Sequence, residues 1–329
     1  MSDEQPQQLS DRDSTRVPLT RFLGIWSGLI LLCLFFTIAF PGDPETGRDG
    51  FLSVANFTNI FRQITIVAIP AIGATFVILT AGIDLSVGSV VAISGMIMAG
   101  IFRDIDGVGL MPGIVACIVI GVLFGLANGL LVTIGGIHSF VATLGTMAIA
   151  RSLARVNNDG VQIGNLPDSF GFFSQGNAPF CIMAVLYILA FCVLKWTLFG
   201  RLVYAIGSNK EACRLAGINV KVHETLVYVV AGLCAALGSI ILTSRVGSAG
   251  PRAGAGLELE VIAAVVIGGT SLAGGRGGIG GTFCGALLMG VLGNGLNLLD
   301  VHSDWKGVVV GLIIIAAVVI DRLGQAGKE

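Results

Sequence analysis

Two stretches of the chain gather residue types that could act on a polar solute. In Thr80-Ala-Gly-Ile-Asp-Leu-Ser-Val-Gly88 a carboxylate and hydroxyls stand among glycines, between two apolar runs with almost no hydrophilic loop. Backbone inside hydrocarbon leaves helical form only where protein or water satisfies its N–H and C=O groups, so Gly82, Asp84, Ser86 and Gly88 should line a cavity or a helix–helix seam. Asp84 then has two readings. It is a gate or solute contact, or it is an N-cap accepting from the first free N–H groups of the next helix. The second stretch, Gly268-Gly-Thr-Ser-Leu-Ala-Gly-Gly-Arg-Gly-Gly278, has the same character and puts Gly268, Gly269, Thr270 and Ser271 in a comparable break. Gly-broken segments in corresponding places of two halves point to a central transport path.

A third stretch could engage a partner. Within 200–224, Ser208-Asn-Lys-Glu211 has the S-x-x-E spacing of a capping box, and Gly217 supplies the residue past a helix end. Between them Ala212, Leu215 and Ala216 recur at i, i+3 and i+4, flanked by Lys210, Glu211 and Arg214. A helix of eight or nine residues is marginal alone in water, so this one should dock. It inserts into a groove on a separate motor protein, or it lies on its own bundle or the lipid surface.

Other chemistries lack their residues. The seven Cys, at 33, 117, 181, 192, 213, 234 and 284, show no paired metal-ligand spacing and read as small hydrophobes. His138, His223 and His302 are far apart with no nucleophile beside them, so neither an enzyme centre nor a cofactor is expected. A net charge of −1 provides no basic stripe for nucleic acid.

The elements that must position these stretches are set by composition. The chain of 329 residues is 54% hydrophobic and 12% charged, with 48 glycines. Soluble domains carry about 25% charged residues, so lipid is the expected solvent. Six apolar runs, at 22–40, 64–81, 112–134, 179–199, 226–243 and 279–299, reach the length of about 20 residues that a membrane-crossing helix needs. Four shorter or broken ones, at 86–101, 137–154, 260–272 and 305–320, bring the expectation to ten transmembrane helices in an all-α membrane protein. The domain reading is a tail at 1–21, a transmembrane domain at 22–320 containing the loop 200–224, and a tail at 321–329. The run at 22–40 lacks a small-residue cleavage pattern and is expected to be retained.

Short cytoplasmic loops are enriched in Lys and Arg. Ten crossings put both termini on the side of the loop 200–224, which holds Arg201, Lys210, Arg214 and Lys221, so that side is expected to be cytoplasmic. Arg48, Arg62, Arg245 and Arg252 fall on the outer side against the rule. The outer segment 156–178 has no Lys or Arg; its Phe170, Phe172 and Phe173, with Phe180 just beyond, suit either a docking face for an external protein or a lid on the bundle. Gly121-x-x-x-Gly125-x-x-x-Gly129 and Gly281-x-x-x-Gly285 should let helices approach closely.

The run Leu257-Glu-Leu-Glu-Val-Ile-Ala-Ala-Val-Val-Ile-Gly-Gly-Thr-Ser-Leu-Ala-Gly-Gly-Arg276 with Gly293-Asn-Gly-Leu-Asn-Leu-Leu299, together with 79–88, 200–209 and 216–220, resembles permeases of the ribose-type ABC sugar importers. The resemblance covers about 51–322. It implies the ABC importer permease fold of about ten helices, a second permease copy, a cytoplasmic ABC ATPase, a periplasmic sugar-binding protein, and a place in the bacterial inner membrane. By position it implies that Asn209 to Gly217 contacts the ATPase and that 82–88 and 268–276 border the translocation path. The absence of G-x-x-x-x-G-K-[ST] agrees, since ATP must then be hydrolysed on another subunit. The competing class is an ion-coupled secondary transporter, for which Asp84 would be the intramembrane relay.

Overall fold

The computed structural model describes residues 19–42, 50–105 and 109–326, which form twelve α-helices and one 3-10 turn. The outermost ends of both tails, with Arg12, Arg16 and Lys328, and also Arg48, lie outside the described residues.

Helix α1 (Leu19–Ala39) leads to α2 (Val54–Leu79), whose Ser53 cap accepts from the Asn56 N–H. The second helix is the axis of the molecule: 83% of its most apolar window is buried, against 22% for α6 (Ala178–Trp196). A helix buried all round must be apolar nearly all round, and from Ile64 to Leu79 every residue of α2 except Ile66 is buried. Helices α9 (Val220–Val246), α11 (Ile279–Leu298), α10 (Leu257–Ile267) and α6 pack on it, α4 (Met111–Thr133) and α3 (Val87–Asp104) pack in turn on α9, and α5 (Ser139–Val156) lies against α3. Helix α12 (Ser303–Ala326) completes the chain against α10.

Glycine decides the seam between α4 and α9. A methyl group at Gly121 would strike the Gly232 carbonyl, and one at Gly125 the Tyr228 carbonyl, so the glycine row of α4 lets the backbone of α9 approach directly. Close backbone approach replaces the hydrophobic drive that lipid cannot supply between helices. The outward side of α4 carries Val115, Val119, Leu123 and Leu130, all exposed apolar side chains suited to lipid tails.

Among the described residues six helices are long and apolar enough to cross a membrane: α2, α3, α4, α6, α9 and α11. Each of the ten expected segments does contain a helix, and α10 shows where the broken segment 260–272 breaks. It ends at Ile267 after 11 residues, a length of about 16 Å, and cannot span hydrocarbon as a helix. Residues 268–278 continue as Gly-rich turns, with Gly269, Gly274, Gly275 and Gly277 at positive φ.

A second difference concerns 200–208, which falls in the expected loop. These residues belong to α7 (Leu198–Ser208), opened by the Thr197 hydroxyl accepting from the Gly200 N–H. Gly200, Val203 and Ile206 bury one face at a spacing of three, while Arg201 stays exposed on the other.

Candidate functional site

The first broken segment is an unwound strip, 82–86, held by side chains of α5. Ser139 Oγ accepts from the Ile83 N–H at 3.2 Å, and Thr143 Oγ1 accepts from the Leu85 N–H at 3.2 Å. Ser139, Thr143 and Thr146 repeat at i, i+4 and i+7, giving α5 a polar stripe on the side that faces the strip. These hydroxyls satisfy backbone groups that lost helical partners, which is what unwound backbone at membrane depth requires.

Asp84 sits inside this strip and is buried. Its Oδ1 accepts from the Ser86 N–H at 2.8 Å and from the Ser86 hydroxyl at 2.6 Å. The chain of bonds continues through Asn128 of α4, whose amide donates to Ser86 Oγ at 2.8 Å and whose carbonyl accepts from Thr146 Oγ1 at 2.5 Å. Asp84 thus closes a turn two residues before α3 and anchors a network across three helices. The cap itself is Ser86, and Asp84 does not reach the N–H groups deeper in α3, so the expected N-cap is shifted by two residues. Gly88 lies against the Gly254 carbonyl and the Glu258 carboxylate, leaving no room for a side chain.

The second broken segment turns under α11. Gly268 packs on Gly281, Thr270 is buried with its hydroxyl free of hydrogen bonds, and the Ser271 N–H donates to the Arg276 carbonyl at 3.0 Å. The two breaks meet within the expected stretch 268–276, but beyond Gly268, Gly269, Thr270 and Ser271. The junction is the Gly275 N–H donating to Leu79 O at 2.9 Å, with Gly207 of α7 wedged beside both.

The short helix expected over 208–217 is α8 (Lys210–Leu215), six residues long. Its cap is Asn209, whose Oδ1 accepts from the Ala212 N–H at 2.9 Å; Ser208 instead ends α7 and donates to the Tyr204 carbonyl. The cap is therefore displaced by one residue, and with Ala212 three positions on it forms no capping box, because the α7 pattern runs through Ser208. Gly217, at φ 80°, closes the far end, with the Ile218 N–H returning to Cys213 O. Cys213 is the buried anchor, packing with Ile206 and Val220. The expected stripe of Ala212, Leu215 and Ala216 faces away from the protein, and Leu215 is 81% exposed.

Two ion pairs fix this helix. Glu211 and Arg214 pair at 2.7 Å on its exposed side. Lys210 reaches the Glu224 carboxylate of α9 at 2.6 Å, and that carboxylate is buried while the ammonium is exposed. The exposed pair is worth little, about 0.3–0.5 kcal/mol. The pair to Glu224 matters more, because losing Lys210 would leave a buried charge alone.

On the opposite side, Phe170 of the 3-10 turn Asp168–Phe173 is buried against Phe102 and Phe173, and the Ser244 hydroxyl donates to its carbonyl. That part of 156–178 is a lid folded on the bundle; Phe172 alone of the turn's aromatics is largely exposed, at 65%. Asn128, Ser139, Thr143, Thr146, Glu224 and Tyr228 were not legible as site residues. The hydroxyl stripe of α5 was the one signal that could have revealed Ser139, Thr143 and Thr146; no local pattern marks the other three. Among the described residues no group of three or more His, Cys, Asp or Glu could hold a metal ion.

Comparison with known proteins places this geometry in a family. Residues 56–318 match the family described as branched-chain amino acid transport system / permease component. The chain is 44% identical to the ribose import permease protein RbsC of Bacillus subtilis, over 92% of this chain and 94% of that protein. It is 42% identical to the ribose import permease protein RbsC of Escherichia coli K12, over 90% and 93%, and 38% identical to the D-allose transport system permease protein AlsC of the same strain, over 83% and 85%. No solved structure matches the chain. A family match over most of the length, carried by a multi-pass helical bundle with two broken crossings, leaves one conclusion: the chain belongs to the permease-component family of binding-protein-dependent membrane transport systems.

Proposed function

We propose that this protein is the membrane-spanning permease subunit of an ATP-driven importer for ribose or a related monosaccharide. Sugar rather than amino acid is favoured by the relatives, whose names record import of ribose and fructose and transport of allose. Both termini and α8 face the cytoplasm, and the segment 156–178 faces outward toward a sugar-binding protein. Two copies of the chain pair in the inner membrane, each offering one α8 to an ABC ATPase, which hydrolyses the nucleotide.

The observation that carries this reading is α8. A six-residue helix pinned at its base by Cys213 and by the pair Lys210–Glu224, with Leu215 held out at 81% exposure, is built to be grasped from outside. Asn209 to Gly217 is accordingly the ATPase contact. The segments containing Gly82, Asp84, Ser86, Gly88, Gly268, Gly269, Thr270 and Ser271 border the path, with Asp84 bracing it. Movement of α8 reaches them through α7, because Gly207 touches both Leu79 and Gly275.

The test is reconstitution. Proteoliposomes holding the permease, its ATPase and the binding protein should accumulate ribose only with ATP. Replacing Glu211 and Arg214 together by Ala should lower the ATPase stimulation that the loaded binding protein causes; unchanged stimulation would remove α8 from the coupling role.

A further inference from the structure

A cavity of about 540 Å³ lies where the end of α6 and the starts of α7 and α11 come together. Phe191 and Lys195 of α6, Arg201 and Tyr204 of α7, and the backbone of 277–281 form its walls, and none of its lining residues is acidic. The Tyr204 hydroxyl donates to the Gly277 carbonyl at 3.0 Å, which ties α7 to the start of α11.

The charge of this cavity is uncompensated. Lys210, Arg214 and Arg103 each have a carboxylate within 2.7 Å. Lys195 and Arg201, both exposed, have no ion pair or side-chain hydrogen bond among the described residues, and the Lys195 ammonium is held over the Phe191 ring, 5.0 Å from its centre. Two cations sharing one cavity repel each other unless an anion lies between them. The space for one is kept clear: Gly278 opens α11 without a side-chain cap, and Gly280 has nothing where a Cβ would point.

The surroundings say what carries the anion. Val185, Ile188 and Phe191 precede Lys195 at helical spacing and are all exposed, so an apolar stripe runs along α6 into the cavity. From Val185 to Lys195 the helix rises about 15 Å, half of a hydrocarbon core of roughly 30 Å and thus the depth of one leaflet. Trp196, beside Lys195, is 65% exposed and of the type that settles at headgroup level. A free phosphate has no use for that stripe, and a zwitterionic lipid would bring its own ammonium against two others.

We infer that this cavity seats the phosphate of an anionic phospholipid, with an acyl chain along the stripe of α6. The leaflet, the cytoplasmic one, rests on the proposed orientation. Bound there, the lipid clamps α7, whose Gly207 touches both broken segments, to the start of α11.

The full chain, stripped of lipid in neutral detergent, tests the site. Native mass spectrometry should show phosphatidylglycerol binding, phosphatidylcholine of the same chains binding far more weakly, and no displacement by excess inorganic phosphate; phosphatidylglycerol should also raise the thermal midpoint. Lys195→Gln and Arg201→Gln should each weaken its binding about five-fold, the share of one basic residue at an anionic surface. Arg201→Lys should retain most of it, and Lys221→Gln, an exposed lysine outside the cavity, should change nothing. Should the Gln variants fail to fold, a photoactivatable phosphatidylglycerol on the unaltered protein should crosslink within 185–204. Equal binding of the two lipids, unchanged binding in both Gln variants, or crosslinks confined to other helices overturns the site, and displacement by inorganic phosphate overturns lipid as its ligand. These readouts use neither ATP nor sugar, so they fail only with the site. The orientation fails separately, if an impermeant maleimide outside intact cells labels Lys221→Cys.

Discussion

The Gly275 N–H donates to the Leu79 carbonyl at 2.9 Å, so the turn that ends one broken crossing is bonded to the residue that begins the other. The partners are 196 positions apart and are held together by Gly207, on which a methyl group would strike the Leu79 carbonyl and crowd the Gly275 N–H. Gly207→Ala should therefore part the two breaks. Uptake in vesicles should fall severely while the amount of protein in the membrane stays near normal; uptake at the original rate would show that the junction plays no part in transport.

The seam between α4 and α9 gives a matched pair of stability predictions. Gly125→Ala forces a methyl group onto the Tyr228 carbonyl and should destabilise the purified protein by about 1–3 kcal/mol, read as a lower thermal midpoint in detergent. Gly145 of α5 has open space around it, so Gly145→Ala should leave the midpoint equal or slightly higher, since Ala favours helix over Gly.

Asp84 separates a brace from a gate. Asn in its place keeps an oxygen that can accept from the Ser86 N–H and hydroxyl, so Asp84→Asn should retain most uptake and stability. Asp84→Leu strands both donors inside the protein and should cost about 1–3 kcal/mol, with Asn128→Leu behaving similarly because it breaks the same chain of bonds. Abolished uptake in Asp84→Asn with unaltered stability would identify a gating carboxylate instead.

Much of this arrangement was legible in the sequence, and the parts that were not share a cause. Length and hydropathy mark the long spans because lipid imposes one requirement on them all. The breaks at 80–88 and 268–278 are visible because glycine and polar residues have no other reason to sit between apolar runs. Local competition hides the rest. Ser208 has the spacing of a helix cap, but the period of Gly200, Val203 and Ile206 carries α7 through it, and Asn209 takes the role. The segment 260–272 reads as a span because Val and Ile fill it, yet Gly268 and Gly269 stop the helix at Ile267. Asn128 and Glu224 act across helices distant in the chain, and no local pattern announces a partner 42 or 14 residues away.

Leu215 is the side chain of α8 held furthest from its own protein. Leu215→Asp touches nothing within the chain's core and should leave expression and thermal midpoint unchanged. It should nonetheless reduce ATP-driven uptake strongly, and pull-down of the ATPase with the permease should weaken in parallel. Normal association would mean that the motor protein grips another surface.

The central claim is that energy enters this permease from ATP through α8, and ribose accumulation in proteoliposomes containing the full importer measures it directly. The account predicts accumulation that ceases when ATP is withheld, persists when an uncoupler dissipates ion gradients, and falls in Leu215→Asp. Accumulation that survives ATP depletion and collapses with the uncoupler would contradict it.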